Sequence, residues 1–417
     1  MGNTILENER IMLQPSPTLW KNKQFILLFM SYTLSLFGNS FHNIALNLWV
    51  LTTTGSAKMM TVILITNLII SSLLGPIAGT IADRMDRRKI MLAADLVRSG
   101  FVLFIAYCIY NPNVSFILIL VLTGIVTASG LFHSPAFQAS LINIVGKEHI
   151  QRATGLLNVS DNVSRTIGFA VGGIFVASFG GALAIIMDGM AFMISFLLIL
   201  LAGAFPSPKR KQQEQKKFKE DLMTGLQYIW KNPFAKAVTI LSPTLILFFM
   251  SSLMLTQVMA VKVWQASPFH FGLIEACIPL GYLLGAGLIV SLGSKLKQRG
   301  KLVMLNLMLI GPLYILLSYS TTALIGIPFI LLIGFMFSFC TLLINIILRL
   351  EVSEELQGRV FGTLGSLMSV VPSIGLVISS YFADIFGSSM VMFLIGCMLL
   401  LFGVISTIWL KEIRDYS

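Results

Sequence analysis

The sequence GTIADRMDRRK, residues 79–89, is a short charged turn between two long apolar segments. It contains two carboxylates, Asp83 and Asp86, and four basic residues, in a chain of which only 11% is charged. Apolar segments of about 20 residues have the length of membrane helices, and such helices need a hydrophilic turn at each water boundary. The stretch therefore predicts two transmembrane helices that meet at one membrane surface.

The composition of the whole chain extends this prediction to all its apolar segments. Of the 417 residues, 56% are hydrophobic and 11% charged, whereas about a quarter of an ordinary soluble domain is charged. A backbone in lipid must satisfy its own hydrogen bonds, which continuous apolar runs do as helices. We expect an all-α membrane protein with twelve transmembrane helices in two pseudo-symmetric six-helix halves, near residues 25–50, 59–82, 90–110, 114–141, 153–179, 182–204, 235–261, 270–292, 302–319, 323–348, 359–386 and 389–410.

The basic residues indicate the orientation of the chain in the membrane. Of the 29 Lys and Arg residues, only Lys58 and Lys262 fall on the side opposite the N-terminus, and Arg165 falls within a span. Because cytoplasmic loops carry the excess of basic residues, we expect both termini to be cytoplasmic. The net charge of +11 is thereby attributed to membrane topology, and no nucleic-acid partner is expected.

The two halves of the chain resemble each other in sequence. When residues 148–180 are shifted by 207 positions, ten of the 33 residues coincide with those at 355–387. This offset places the fifth span on the eleventh, as a duplication of six helices requires. We predict an N-terminal half at residues 1–204, a basic cytoplasmic linker at 205–234 and a C-terminal half at 235–417.

Glycine pairs four residues apart recur on every third span. Such pairs let two helices approach closely in lipid, because no side chain separates the backbones. They fall on spans 2, 5, 8 and 11, as Gly75/Gly79, Gly168/Gly172, Gly281/Gly285 and Gly358/Gly362. The spacing of three spans predicts a three-helix structural repeat within each half.

The turn at residues 79–89 resembles the signature loop of the major facilitator superfamily, Gly-x-x-x-Asp-Arg-x-Gly-Arg-Arg-Lys, with Asp86 in place of the second glycine. GFAVGG at residues 168–173 resembles the antiporter motif Gly-Pro-x-x-Gly-Gly of its drug exporters, with Phe169 in place of proline. Together with FHSPAFQA at residues 132–139, these motifs resemble the branch that contains macrolide-efflux proteins. The matching residues are Gly79, Asp83, Arg84, Arg87 and Arg88 in the loop, and Gly168, Gly172 and Gly173 in span 5.

The resemblance implies a secondary active transporter in the cell membrane, the cytoplasmic membrane of a bacterium, working as a monomer. It implies export of hydrophobic or amphiphilic drugs in exchange for protons, by alternating access of a midplane site. Helices 1, 4, 7 and 10 are expected to line a central cavity, and helices 2, 5, 8 and 11 to flank the seam between the halves. Because Phe169 replaces the motif's proline, a permease or exporter for an endogenous metabolite, siderophore or lipid remains the alternative.

Ionisable residues within spans are candidates for proton coupling, because an unpaired charge in the membrane is expensive. Asp161 and Arg165 lie near the middle of span 5 at i,i+4 spacing, which places them on one face. Two hypotheses stay open for this pair: a permanent structural ion pair, or a switch that protonation opens. Asp188 and Glu275 are the other candidates, and Glu275 is expected in the first outer turn of span 8, where water reaches it.

Two further acid and base residues, Asp95 and Arg98, stand three positions apart in span 3 and are expected to brace the signature loop. Apolar and histidine residues on the helices expected to line the cavity are candidates for an adaptable substrate pocket. They are Phe41, His42, Phe132, His133, Phe137, Met254, Phe335 and Phe339. The alternative is a hydrogen-bonded packing role for each histidine and a core or lipid-facing position for each apolar residue. No metal-ligand spacing, phosphate-binding loop or nucleophile–base constellation is present, so we expect no cofactor and no enzymatic activity. Small amphiphiles, protons and membrane lipids are the expected partners.

Overall fold

The computed structural model describes residues 19–111, 114–205, 227, 229–352 and 354–416. These residues form long helices and no strand. The helices that define the architecture are α1 Lys23–Thr54, α2 Ala57–Arg84, α3 Arg87–Tyr110, α4 Phe116–Val145, α5 Ile150–Phe179, α6 Gly181–Leu201, α7 Pro233–Lys262, α8 Pro268–Leu292, α9 Arg299–Ser318, α10 Ala323–Glu351, α11 Glu354–Phe386 and α12 Ser388–Trp409, followed by the short α13, Lys411–Arg414. The expected all-α fold of twelve long helices is confirmed.

Eleven of the twelve long helices, α2 to α12, are long and apolar enough to cross a membrane. The remaining helix, α1, is 32 residues long but carries several polar residues in its second half, among them Asn39, His42, Asn43 and Asn47. His42 is buried against the protein, and Asn43 donates to Asn39 on the same helix. Three of these polar side chains, Asn39, His42 and Asn43, thus contact other polar groups of the protein.

Short polar segments start several helices. Asn22 accepts hydrogen bonds from the backbone N–H groups of Gln24 and Phe25 in the first turn of α1. Asn232 and Ser267 each accept one such hydrogen bond in the first turns of α7 and α8, and each is followed by a proline, Pro233 or Pro268. These side chains satisfy N–H groups that a helix cannot pair internally, and proline at the first position has no N–H to satisfy.

Single glycines join α5 to α6 and α11 to α12. Gly180 separates α5 from α6 and has φ of 85°, and Gly387 separates α11 from α12 and has φ of 88°. Only glycine adopts this conformation without steric cost, so each turn reverses the chain with one residue. The two glycines are 207 positions apart, which is the offset that the sequence comparison of the two halves predicts.

The helix pairs of the two halves correspond to each other. In the N-terminal half α1 packs on α5, α2 on α4, and α3 on both α4 and α6. In the C-terminal half α7 packs on α11, α8 on α10, and α9 on both α10 and α12. Each pair in the first set becomes a pair in the second when six is added to its helix numbers. The pseudo-symmetry of two six-helix halves is therefore present in the packing as well as in the sequence.

The two halves meet along two seams, α2 against α11 and α5 against α8. We call the end of the molecule where α1 ends and α2 begins the closed end, and the opposite end the open end. At the closed end, a Cβ on Gly272 of α8 would lie 2.6 Å from the Cα of Gly173 of α5. Farther toward the open end, a Cβ on Gly75 or Gly79 of α2 or on Gly155 of α5 would meet no atom within 4 Å.

The glycine pairs of α5 and α8 lie on the expected seam helices but do not face across the seam. Gly168 packs against Ser40 of α1, and Gly172 against Ile44 and Phe41 of the same helix. Gly281 and Gly285 pack against the α10 backbone around residues 331–338. These pairs therefore bring helices together within one half. Close approach between halves comes from Gly173 and Gly272, which the i,i+4 pattern does not select.

Gly272→Ala is expected to force α5 and α8 apart at the closed end. Its Cβ would lie 2.5 Å from the carbonyl oxygen of Phe169 and 2.6 Å from the Cα of Gly173, and neither backbone atom can rotate away. Overpacking of this kind costs about 1–3 kcal/mol. Gly287→Ala on the same helix is the matched control, since nothing lies within 4 Å of its added Cβ. Thermal unfolding of the purified proteins tests this: equal stability of the two variants would contradict the close approach.

The turn after α2 is fixed to its own half by three side chains. Asp86 caps α3 by accepting from the N–H groups of Arg88 and Lys89. Arg87 donates to the carbonyl of Ala139 at 3.0 Å, and Arg88 donates to that of Leu200 at 2.8 Å. Asp86 thus serves as a helix cap where the superfamily motif has glycine.

The expected contact of Asp95 and Arg98 with the signature loop is wrong. Asp95 is fully buried about two turns into α3 and accepts a hydrogen bond from Ser195 of α6. Arg84 is exposed at the end of α2. The side chain of Asp83 and most of the predicted linker at 205–234 lie outside the described residues.

Candidate functional site

A cavity of about 320 Å³ lies between the two halves, beneath the closed end. Helix α5 contributes a charged wall, and α7, α8 and α10 contribute mainly apolar and aromatic side chains. Its lining residues are Asp161, Asn162, Arg165, Phe169, Phe249, Leu253, Glu275, Ile278, Pro279, Tyr282, Gly334 and Phe337. The cavity thus brings together three of the four residues that the sequence selects for proton coupling, although they come from both halves of the chain.

Asp161 and Arg165 form an ion pair on the cavity wall. The Nε atom of Arg165 donates to both carboxylate oxygens of Asp161 at 3.1 Å. The side chain of Arg165 is 48% exposed and that of Asp161 is 28% exposed. They are the twelfth and sixteenth residues of a 30-residue helix, which places them near its middle, as the sequence predicts. The pair is charge-neutral and accessible from the cavity.

Glu275 differs from this pair because no basic side chain of the described residues is paired with it. It lies about two turns into α8 and is only 7% exposed, so its expected position in a water-accessible first turn is wrong. The amide nitrogen of Gln257, on α7, donates to one oxygen of Glu275 at 3.0 Å. No Lys, Arg or His nitrogen among the described residues lies within 4.0 Å of this carboxylate.

Gln257 presents a second acceptor beside Glu275. The residue is 5% exposed, and its side-chain oxygen has no hydrogen-bond donor within the described residues. The carboxylate of Glu275 and the amide oxygen of Gln257 are therefore two buried acceptors side by side. The NH2 group of Gln257 is the one donor that these two side chains supply. Buried acceptors without donors cost free energy, so this corner of the cavity favours a ligand or a protonation state that supplies an N–H or O–H.

Stacked aromatic rings form the opposite wall of the cavity. The rings of Phe249 on α7 and Phe337 on α10 are nearly parallel, with centroids 3.8 Å apart. Tyr282 lies beside Phe337 at 6.4 Å, and Phe169 comes from α5. The sequence prediction missed Gln257, Phe249, Phe337 and Tyr282. Phe249 and Phe337 lie on helices with several phenylalanines, and the rotation that turns Gln257 and Tyr282 toward the cavity is set by helix packing.

The residues predicted to build the substrate pocket lie elsewhere in this conformation. Phe41, Phe137, Met254 and Phe339 are buried in the packed interior, and Phe132 and Phe335 are half-buried against neighbouring helices. Phe137 stacks on Tyr32 at 5.1 Å. None of the six belongs to the wall of the cavity that holds Glu275.

Both predicted histidines and Asp188 belong to an enclosed polar cluster in the N-terminal half. His42 lies 3.1 Å from Asp188, which is 1% exposed. His133 and Arg98 lie 3.6 Å and 3.9 Å from Asp95. The Arg98 guanidinium also lies 3.7 Å over the ring of Phe192 on α6. These residues join α1, α3, α4 and α6, and they are separate from the cavity that contains Asp161 and Glu275.

Two seams and a charged cavity between two six-helix halves, built from helices long and apolar enough to cross a membrane, are the architecture of a multi-pass membrane protein. A family model of the Major Facilitator Superfamily matches residues 28–375. The chain belongs to this superfamily, and the relatives and solved structures that it resembles are named as transporters or efflux proteins.

Several relatives of the chain are efflux proteins by name. It is 23% identical over 405 residues to macrolide efflux protein A of Streptococcus pyogenes, covering 95% of this chain and 97% of that protein. It is 22% identical over 350 residues to the multidrug efflux pump Tap of Mycolicibacterium fortuitum, with 81% and 84% covered. It is 24% identical over 297 residues to the enterobactin exporter EntS of Escherichia coli O1:K1, with 69% and 67% covered.

Solved structures share the fold at lower identity. A bacterial homologue of the human lysosomal transporter Spinster, inward-facing and unoccupied, has a TM-score of 0.73 at 12% identity, with 96% of this chain and 98% of that chain covered. The nucleoside transporter NupG has a TM-score of 0.69 at 13% identity, with 95% and 100% covered. At these identities the likeness shows the fold alone.

Proposed function

We propose that the protein exports amphiphilic compounds in exchange for protons, and that Glu275 is the residue at which proton and substrate compete. The supporting observation is the buried carboxylate of Glu275 beside the unpartnered oxygen of Gln257, in a cavity with aromatic walls. A proton on Glu275 satisfies this corner by supplying an O–H. A substrate with a protonated amine satisfies it by supplying N–H donors and a positive charge.

The charge balance of the cavity favours exchange of one cation for one proton. Asp161 and Arg165 neutralise each other, so Glu275 alone leaves one uncompensated negative charge when it is ionised. One proton or one organic cation neutralises that charge, and the two together would leave a buried positive charge. The ring faces of Phe249, Phe337 and Tyr282 attract both apolar groups and cations. Relatives named for macrolide and multidrug efflux fit this substrate class.

An exporter of an anionic siderophore or another endogenous compound is the second candidate. The half-exposed guanidinium of Arg165 supports it, because an anionic ligand could replace Asp161 as its partner. The relative named as an enterobactin exporter points in the same direction. The sign of the substrate charge separates the two candidates.

The functional test is transport in proteoliposomes that contain only this protein. With a pH gradient imposed, a fluorescent monocationic amphiphile should accumulate against its gradient, and an uncoupler should abolish the accumulation. A neutral amphiphile and an anionic catecholate of similar size are the comparison compounds. Gradient-driven accumulation of the anion but not the cation would replace the first candidate with the second. Absence of gradient dependence for all three would contradict proton coupling.

We propose that both termini are cytoplasmic, so that the open end faces the cytoplasm. The asymmetric distribution of Lys and Arg supports this orientation. A cysteine introduced at exposed Thr322, at the closed end, should react with an impermeant maleimide in intact cells, and one at exposed Lys147 should react only after permeabilisation. The four native cysteines would be replaced first. The reverse labelling pattern would contradict the orientation.

We propose roles for the two halves, the signature loop and the predicted pocket residues by analogy with the superfamily that the sequence resembles. Residues 1–204 and 235–417 act as two rocking halves of one monomer, joined by the linker at 205–234. Gly79, Asp83, Arg84, Arg87 and Arg88 hold the open end shut in the alternate conformation, and the predicted pocket residues line the cavity in that conformation. Asp83→Asn should then reduce proteoliposome transport without reducing the amount of folded protein. Unchanged transport would remove the role of Asp83.

A further inference from the structure

The start of α2 has an unusual cap, because the cap comes from the other half of the protein. Ser56 stands at the N-cap position, but its side chain makes no capping hydrogen bond to α2. Instead, the backbone N–H groups of Ala57 and Lys58 donate to the carboxylate of Asp384 on α11, at 3.0 and 3.4 Å. The hydroxyl of Ser56 donates to the same carboxylate at 2.9 Å.

Asp384 is poorly placed with respect to its own helix. It lies two residues before the end of α11 at Phe386, where the helix dipole is negative and disfavours a carboxylate. The N-terminus of α2 is positive and carries N–H groups that lack partners within that helix. Asp384 is therefore compensated by α2 of the opposite half, and this compensation exists only while the closed end is shut.

The two seams are closed by different means. Asp384 has no counterpart in the N-terminal half, since the offset of 207 places Ala177 at the equivalent position. The α5–α8 seam closes through backbone contact at Gly173 and Gly272, whereas the α2–α11 seam closes through a charge-assisted polar contact. Lys58 adds to the latter, with its ammonium group 4.8 Å over the ring of Tyr381 on α11.

We propose that Asp384 is a gating residue that holds the closed end shut by capping α2 across the seam between the halves. Alternating access requires these three hydrogen bonds to break in every cycle, because the halves must separate at this end. Asp384 thus sets the balance between the two conformations without contacting the cavity. The inference rests on the alternating-access part of the proposed function and on neither the substrate nor the proton.

The test measures two distances by electron paramagnetic resonance in the purified full chain without substrate. Spin labels at Tyr110 and Tyr319 report the closed end, and labels at Lys147 and Lys297 report the open end, all at exposed positions in opposite halves. Asp384→Asn should raise the ratio of closed-end-separated to closed-end-shut molecules about fivefold, because it removes a negative charge from the positive N-terminus of α2. Asp384→Lys should raise it further, since it places a cation at a helix N-terminus.

Ser56→Ala removes one of the three hydrogen bonds and should produce a smaller shift in the same direction. Asp415→Asn is the control, because Asp415 is an exposed carboxylate paired with Arg414 at the end of the chain. A longer distance between the labels at the closed end, together with a shorter distance between the labels at the open end, supports the proposal. A folding defect lowers the yield of protein but does not move the two distances in opposite directions. Unchanged distributions in both Asp384 variants would overturn it, whatever the protein transports.

Discussion

Glu275→Gln should abolish pH-gradient-driven accumulation of a cationic amphiphile, while its downhill movement persists at high substrate concentration with a weaker affinity, because glutamine resembles the protonated carboxyl group. A pH gradient of one unit is worth 1.36 kcal/mol per proton, so a one-for-one exchange sustains about a tenfold accumulation. Glutamine keeps the size of Glu275 and the contact with Gln257, but it neither binds a proton nor carries a charge. The accumulation ratio of the variant is therefore expected to fall from about ten to about one.

Accumulation in proteoliposomes, normalised to folded protein, measures this effect. Glu412→Gln is the matched control, because Glu412 is an exposed carboxylate on the short terminal helix α13. Retained downhill transport by Glu275→Gln shows that the variant is folded and can bind substrate. Full gradient-driven accumulation by the variant would exclude Glu275 as the coupling residue and transfer that role to Asp161.

The part of the site that lies on one helix was predictable from the sequence. The i,i+4 spacing of Asp161 and Arg165 is enough to place both on one face of α5, and the structure shows the ion pair. The single-residue turns at Gly180 and Gly387 were predictable for the same reason, since a short break between apolar runs leaves little freedom. Local geometry carries these predictions, and no knowledge of the packing is needed.

The part of the site that depends on packing between helices was not predictable. Glu275 has a partner, Gln257, that lies eighteen positions away on another helix, and nothing in its own neighbourhood indicates burial. The predicted pocket residues Phe41, Phe137 and Met254 were selected by helix number, but the face of each helix that meets the cavity depends on its rotation. These helices carry apolar residues on every face, so the periodicity of hydrophobic residues does not indicate the rotation of the helix.

Asp161→Asn and Arg165→Gln should change the affinity for a cationic amphiphile in opposite directions. Asp161→Asn leaves the guanidinium of Arg165 uncompensated in the cavity, and this repels a cation. Arg165→Gln leaves the carboxylate of Asp161 uncompensated, and this attracts it. The uncompensated side-chain charge and a cationic ligand about 7 Å away interact by about 2 kcal/mol at an effective dielectric constant of about 20. This energy corresponds to about a thirtyfold change in Kd. Anionic ligands should show both effects with the opposite sign.

The double variant Asp161→Asn/Arg165→Gln decides whether the pair acts through its charge or through folding. It removes both charges and leaves the net charge of the cavity as in the native protein, so its affinity should return close to the native value. Equilibrium binding to purified protein measures all four members of the cycle, and the yield of folded protein is recorded for each. Because the pair is 28% and 48% exposed, breaking it strands no deeply buried charge, and we expect both single variants to fold. The alternative outcome is that both single variants lose folded protein, that the double variant restores it, and that the affinities do not change in opposite directions. That outcome would show that the ion pair stabilises the fold and does not act on the substrate.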